Sequence, residues 1–265
     1  MLHLPPLAAE TIFYIANFPI SNSLINALIV SLGLIILSLY LRSRLREVPT
    51  GVQNFMETIL EVLLGYFDQV TGSREKSIKF FPIAGTLFIF ILISNLLGVF
   101  PGIGSIGLTV VREGHSEFLP IFRPANTDYN LTLAMALVAV IGSHVFGIIA
   151  IGFWKYADRF IKLGTLWRSL RRGGASIMVA VIEFFVGLIE IVSEIAKVIS
   201  LSLRLFGNVF AGEVLLTVMA SLVAYFIPLP FLLLELLVGL IQATVFAMLT
   251  LVYLTMATAD HAESH

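Results

Sequence analysis

The stretch S-L-S-L-R-L-F-G-N-V-F-A-G-E, from Ser200 to Glu213, sets a permanent positive charge, Arg204, inside a strongly apolar run. An arginine at the centre of a membrane helix costs roughly 2.5–3.5 kcal/mol on insertion scales, so something must compensate for it, and an ionisable residue at that depth is a functional hypothesis by default. From Gly173 to the C-terminus the only Lys or Arg residues are Lys197 and Arg204. The whole chain of 265 residues is 58% hydrophobic and 12% charged, with a mean hydropathy of +0.98. Soluble domains carry nearer a quarter charged residues, so this composition describes a polytopic membrane protein. The absence of cysteine removes a disulfide framework and a thiolate metal site, and a net charge of -1 gives no case for nucleic acid.

Around that stretch, no proline interrupts the apolar pattern from Ser176 to Phe226. As one helix it would be roughly 75 Å long at 1.5 Å per residue, more than twice the thickness of a hydrocarbon core, so it must tilt steeply or bend. Pro228 and Pro230 punctuate the pattern, and a final apolar helix is expected from Phe231 to Thr258, before a polar tail with Asp260, His261, Glu263 and His265. The expectation is an antiparallel hairpin of two long, tilted helices.

Upstream, an apolar run from Asn22 to Leu41 is long enough to span and ends in Arg42, Arg44 and Arg46. From Pro49 to Val70, Phe55, Met56, Ile59, Leu60, Leu63 and Leu64 oppose Glu57, Glu61 and Asp68 at helical spacing, which predicts an interfacial amphipathic helix. A second span is expected from Phe80 to Phe100, stopping at Pro101-Gly102. Residues 102–128 read as an external loop in which Asn126-Thr127-Asp128 caps a third span from Tyr129 to Phe153. Twelve of the sixteen Lys and Arg fall on the ends that this scheme makes cytoplasmic (Arg42, Arg44, Arg46, Arg74, Lys76, Lys79, Lys155, Arg159, Lys162, Arg168, Arg171, Arg172), against Arg112 and Arg123 outside. The fold class is therefore all-α, with about five membrane-embedded helices and one interfacial helix. It is read as a single membrane domain over 1–265: an external segment 1–21, taken as mature protein because it lacks a basic n-region, peripheral spans and loops over 22–172, the tilted hairpin over 173–258, and a cytoplasmic tail over 259–265.

Glu183, Glu190, Lys197 and Arg204 recur every seven residues, which keeps them near one helix face with a drift of about 20° per heptad. Glu194 lies within reach of Glu190 and Lys197, Asn208 is one turn beyond Arg204, and Glu213 follows. Glu235 and Gln242 are again seven apart, with Tyr253 further along. Guanidinium stays protonated, whereas partly buried carboxylates can be tuned to pass protons. On a continuous helix Glu190 is roughly 21 Å before Arg204 and Glu213 roughly 13 Å after it, an arrangement that suits two half-channels separated by a fixed cation. Simpler roles compete: a salt-bridge ladder toward the headgroups for Glu183, Glu190 and Lys197, and interhelical hydrogen bonding for Asn208 and Gln242. His144, His261 and His265 are too scattered to suggest a metal site, and no cofactor motif is present.

The Ser200–Glu213 run, followed by P-L-P and L-I-Q-A-T-V-F-A-M-L-T-L-V-Y-L, resembles the signature region of subunit a of F-type ATP synthases, the stator subunit against which the ring of c subunits turns. R-E-V-P-T-G-V-Q-N (46–54), N-L-L-G-V-F-P (95–101) and N-T-D-Y-N-L-T-L-A-M-A (126–136) extend the resemblance over most of the chain. It implies that Arg204 meets the ionised carboxylate of each passing c subunit and blocks a direct proton leak. It further implies that Asn208, Glu213, Glu235 and Gln242 serve the outer half-channel and support the arginine, and that Glu190 and Lys197 lie in the inner channel. Glu235 departs from the histidine of some relatives, and Gly98 from the aspartate of others. Implied partners are the c ring, peripheral-stalk b subunits, the other synthase subunits, lipid and protons. The implied location is a bacterial inner membrane with the N-terminus outside and the C-terminus cytoplasmic. The competing class, a standalone cation/proton antiporter or channel, would favour inverted repeats, and none is apparent in the sequence.

Overall fold

The computed structural model describes residues 5–100, 106–112, 115–160, 175–222 and 228–259. The described chain begins with a hairpin, β1 (Thr11–Ile15) and β2 (Phe18–Ser21). Its two-residue turn, Ala16-Asn17, has positive φ at both positions (46° and 68°), the geometry that matches the twist of the flanking strands. Ser21 ends β2 and caps α1 (Asn22–Ser43), its hydroxyl accepting from the Leu24 amide. Next come α2 (Val52–Thr71), α3 (Arg74–Val99), a second hairpin of β3 (Gly107–Arg112) and β4 (His115–Pro120), and a single 3-10 turn at Ala125–Thr127. Four more helices follow: α4 (Tyr129–Ile151), α5 (Phe153–Phe160), α6 (Ala175–Leu222) and α7 (Pro228–Thr258).

The helical, membrane-embedded class holds. Helices α1, α3, α4 and α7 are long and apolar enough to cross a membrane by length and composition, and α6, at 48 residues, is longer than any simple span requires. Two expectations need correction. The segment assigned to a plain external loop contains the β3–β4 hairpin, and the N-terminal segment contains another; both are short, Thr- and Phe-bearing pairs that no helical periodicity announces. The final helix also begins at Pro228 rather than Phe231, because proline is tolerated in a first turn, where its missing N–H has no partner to lose. In addition α3 starts at Arg74, six residues before the expected span, and carries Pro82 inside it. The stop at Pro101-Gly102, the basic residues from Lys162 to Arg172 and the tail 260–265 lie outside the described residues.

Helix α7 is the centre of the bundle, flanked by α3, α4 and α6, with α2 packed against α3 and α7. The core is built from Phe80, Ile91, Ala136, Leu205, Phe246 and Leu251 with their neighbours. Ala84, Ala136, Ala139, Ala243 and Ala247 are buried, and such small residues let membrane helices approach closely where hydrocarbon offers no hydrophobic drive. Helix α2 is amphipathic as expected: Leu63 and Phe67 face the core, Phe67 meets Phe81 at a ring separation of 5.8 Å, and Phe55, Val62 and Tyr66 are exposed. Gly72, in the left-handed region at φ 67°, ends it by donating to the Asp68 carbonyl. Arg74 then ties α3 back to α2 through Glu61 at 2.7 Å and Asp68 at 3.0 Å, and the Ser77 hydroxyl together with Arg74 holds the Asp68 carboxyl below the usual carboxylate range.

Candidate functional site

The polar side chains of α6 and α7 meet in register down an antiparallel pair. Glu235 reaches Gly212, Asn208 donates to Gln242 Oε1 at 2.8 Å, and the Lys197 ammonium sits 5.1 Å from the centre of the Tyr253 ring. Numbers fall on α6 as they rise on α7. Glu235 and Gln242, seven apart on α7, both face this seam as spacing anticipated, and from the α6 heptad series Lys197 joins them.

Arg204 stands apart from this pairing. Leu201, Leu205 and Val209 turn into the core, so the opposite face of α6 presents Leu203, Arg204 and Gly207 outward. The guanidinium makes one long contact, 3.4 Å from Nη2 to the Ser200 hydroxyl. Among the described residues no carboxylate forms an ion pair with it.

On one side of Arg204, Glu213 is held by Arg123, which is only 2% exposed. Arg123 donates from Nε to both Glu213 oxygens at 3.1 and 3.2 Å and from Nη2 to Oε2 at 3.1 Å. Nη2 also donates to the backbone carbonyl of Pro6 (2.8 Å) and Nη1 to that of Ala8 (3.1 Å). Arg123, expected on the external segment, is thus buried and fully engaged there: a planar guanidinium with five donors can close an acid and two carbonyls in one place. Nothing local to F-R-P announces this. Glu235 lies close by, its Oε1 only 2.5 Å from where a Cβ on Gly212 would sit. A narrow cleft lined by Asn95, Gly98, Asn208, Glu235 and Gln242 adjoins it. Asn95 braces this wall, donating to the Gly239 carbonyl at 3.1 Å and accepting from Asn126 at 2.7 Å. The Glu235 Oε2 and Gln242 Nε2 atoms are buried there without a protein hydrogen-bond partner.

On the other side, Lys197 pairs with Glu194 at 2.7 Å, the i,i+3 contact expected from sequence. Glu190 is half-buried one turn earlier. His144 gains partners only through the fold: its Nε2 lies 3.7 Å from Glu194 Oε2 and its Nδ1 2.7 Å from the Tyr156 hydroxyl. Among the described residues no group of His, Asp and Glu has the arrangement of a metal site.

The family model described as ATP synthase A chain matches residues 23–255, a range that holds the whole polar seam and its Arg204. The chain belongs to the ATP synthase A chain family. It is similar to ATP synthase subunit a of Trichlorobacter lovleyi, with 33% identity over 234 residues, covering 88% of this chain and 86% of the relative. It is similar also to ATP synthase subunit a of Moorella thermoacetica, with 29% identity over 262 residues, covering 98% of this chain and all of the relative. The subunit a of Campylobacter concisus is 32% identical over 237 residues, covering 89% of each chain. Membership in this family and the spanning helices together make the chain a membrane subunit of an ATP synthase, a family whose work is proton transport and ATP synthesis.

Proposed function

We propose that this chain forms two offset proton half-channels in the stator of the membrane sector, with Arg204 as the barrier between them and as the partner of a rotor carboxylate. The observation that carries the reading is the outward face of α6, where a permanent cation stands beside Leu203 and Gly207 with no carboxylate of the described chain paired to it. A carboxylate on another subunit that approaches to about 4–6 Å is stabilised in its ionised form by that charge, and releases its proton before passing. Guanidinium keeps its own proton throughout, so it blocks a direct leak.

Glu213, Glu235, Asn208 and Gln242 serve the outer half-channel, and Glu190 and Lys197 the inner one. The c ring supplies the carboxylate, b subunits hold the stator, and the remaining synthase subunits complete the partners. The chain acts as one membrane domain, with residues 173–258 carrying the ion path and the N-terminus outside, in a bacterial inner membrane where the C-terminus is cytoplasmic. The test is Arg204→Ala in the assembled synthase, reconstituted in vesicles. ATP-driven proton pumping is expected to stop while the complex still assembles, and Arg204→Lys is expected not to rescue, since a buried ammonium loses its proton readily. Near-normal pumping by the alanine variant would overturn the reading.

A further inference from the structure

We infer that His144 and Glu194 form a proton-relay couple on the inner side of Arg204, an assignment that rests on the half-channel reading above and adds two residues to it. Four elements converge on this point. His144 comes from α4, Tyr156 from α5, Glu194 and Lys197 from α6, and Tyr253 from α7. His144 and Glu194 line one cavity with Tyr156, Phe160 and Ile191. Lys197, paired with Glu194 at 2.7 Å, carries the cluster on to Tyr253, whose ring centre lies 5.1 Å from the ammonium. Glu190, one turn before Glu194 on the same helix, is the remaining acid on this stretch of α6.

The geometry assigns a role to each atom. When the Tyr156 hydroxyl donates to Nδ1 at 2.7 Å, the ring proton sits on Nε2 and points to Glu194 Oε2 at 3.7 Å. That gap is longer than a hydrogen bond, as relay contacts often are before they tighten, and a small rotamer change or one water closes it. A proton arriving from the cavity binds Nδ1, with the Tyr156 hydroxyl turning to accept, and gives an imidazolium. The imidazolium hands its Nε2 proton to the Glu194 carboxylate, which becomes a neutral acid, and the ring returns to neutral as the other tautomer. Exchange with water, which takes the Nδ1 proton as another is delivered to Nε2, restores the starting tautomer, so the net change is one proton moved from the cavity to Glu194. Lys197, at 2.7 Å from the other Glu194 oxygen, holds that carboxylate in place without joining the transfer.

The experiment uses the assembled synthase in inverted vesicles and compares His144→Gln, Glu194→Gln and the double variant by ATP-driven pumping across a pH series. Each single variant is expected to slow pumping on the order of tenfold and to flatten the dependence of rate on pH. The double variant is expected to be no slower than the slower single one, because a relay is broken once. Glu194→Asp, which keeps a carboxylate, is expected to recover part of the rate. Single variants that pump at the unmodified rate with the unmodified pH profile would overturn the couple, as would losses that multiply in the double variant. If His144→Gln fails to assemble, the contrast between Glu194→Gln and Glu194→Asp carries the test. Arg204→Ala in the same vesicles separates the two readings: if it stops pumping while the His144 and Glu194 variants do not slow it, the barrier stands and only the relay is lost.

Discussion

Arg123 and Glu213, ninety residues apart in the chain, meet in a buried ion pair in which one guanidinium also closes the carbonyls of Pro6 and Ala8. The pair joins the N-terminal segment, the approach to α4 and the long helix α6 at one point. Removing one partner of such a pair is far more costly than the net worth of the pair, because the other charge is left uncompensated.

Arg123→Ala is therefore expected to destabilise the chain by about 3–5 kcal/mol at this site and to release the N-terminal segment. Amide hydrogen exchange over residues 7–11 in the assembled complex is the measurement, with faster exchange expected. Arg123→Lys should rescue little, since an ammonium cannot span the bidentate acid and two carbonyls at once. Unchanged exchange in the alanine variant would mean that the hairpin is held by other contacts.

Glu213→Gln and Glu235→Gln are expected to slow proton flow without uncoupling it. Each remains a hydrogen-bonding group that water can bypass, whereas a barrier cannot be bypassed without leak. Passive proton conduction in vesicles stripped of the catalytic sector is the readout. A leak as large as that of Arg204→Ala would move these acids into the barrier.

Two glycines should respond differently to the same methyl group. At Gly212 the added Cβ meets the end of the Glu235 side chain, 2.5 Å from Oε1, which can swing away. Gly212→Ala is thus expected to fold and assemble but to displace Glu235 and reduce proton flow. At Gly147 the Cβ meets the Tyr156 ring and, at 2.8 Å, the backbone carbonyl of Ala257, which cannot yield cheaply. Gly147→Ala is expected to destabilise by about 1–3 kcal/mol. Thermal unfolding and pumping measured on both variants check the contrast; equal loss of stability would show that Glu235 is pinned.

The absence of native cysteine allows the faces of α6 to be mapped cleanly. Cysteines placed at Leu203 or Gly207, beside the outward Arg204, are expected to crosslink to the proteolipid of the rotor. Cysteines at Leu201 or Leu205, which are buried, are expected to reach only helices of this chain. Crosslinking of all four positions to α7 and none to the proteolipid would make Arg204 an internal structural charge.

Much of the fold was legible because it rests on local signals. The runs behind α1, α3, α4 and α7 are uniformly apolar over a membrane thickness, the Asp128 cap precedes α4 as its residue type suggests, and α2 displays its acids and apolar groups at helical spacing. The spacing on α7 put Glu235 and Gln242 on one face, where both line one cleft, because residues seven apart must lie near one face; on α6 the same spacing linked Lys197 with Arg204, which turns outward. The two hairpins were missed for the converse reason. Each is too short to build a period, and the Ala16-Asn17 turn lacks the glycine that usually betrays one.

The sequence by itself determined that this chain spans a membrane, that an uninterrupted apolar stretch longer than a span runs from Ser176 to Phe226, and that Arg204 is stranded within it; these follow from hydropathy and spacing along a continuous segment. Only the tertiary structure decided which polar groups share an environment. Arg123 was paired with Glu213, Asn95 with Gly239 and His144 with Glu194 by helices brought together across 90, 144 and 50 residues of chain. The physical reason is that a side chain's periodicity gives the direction it faces on its own helix, while its partner depends on which other helix the small residues of the core allow to lie against that face.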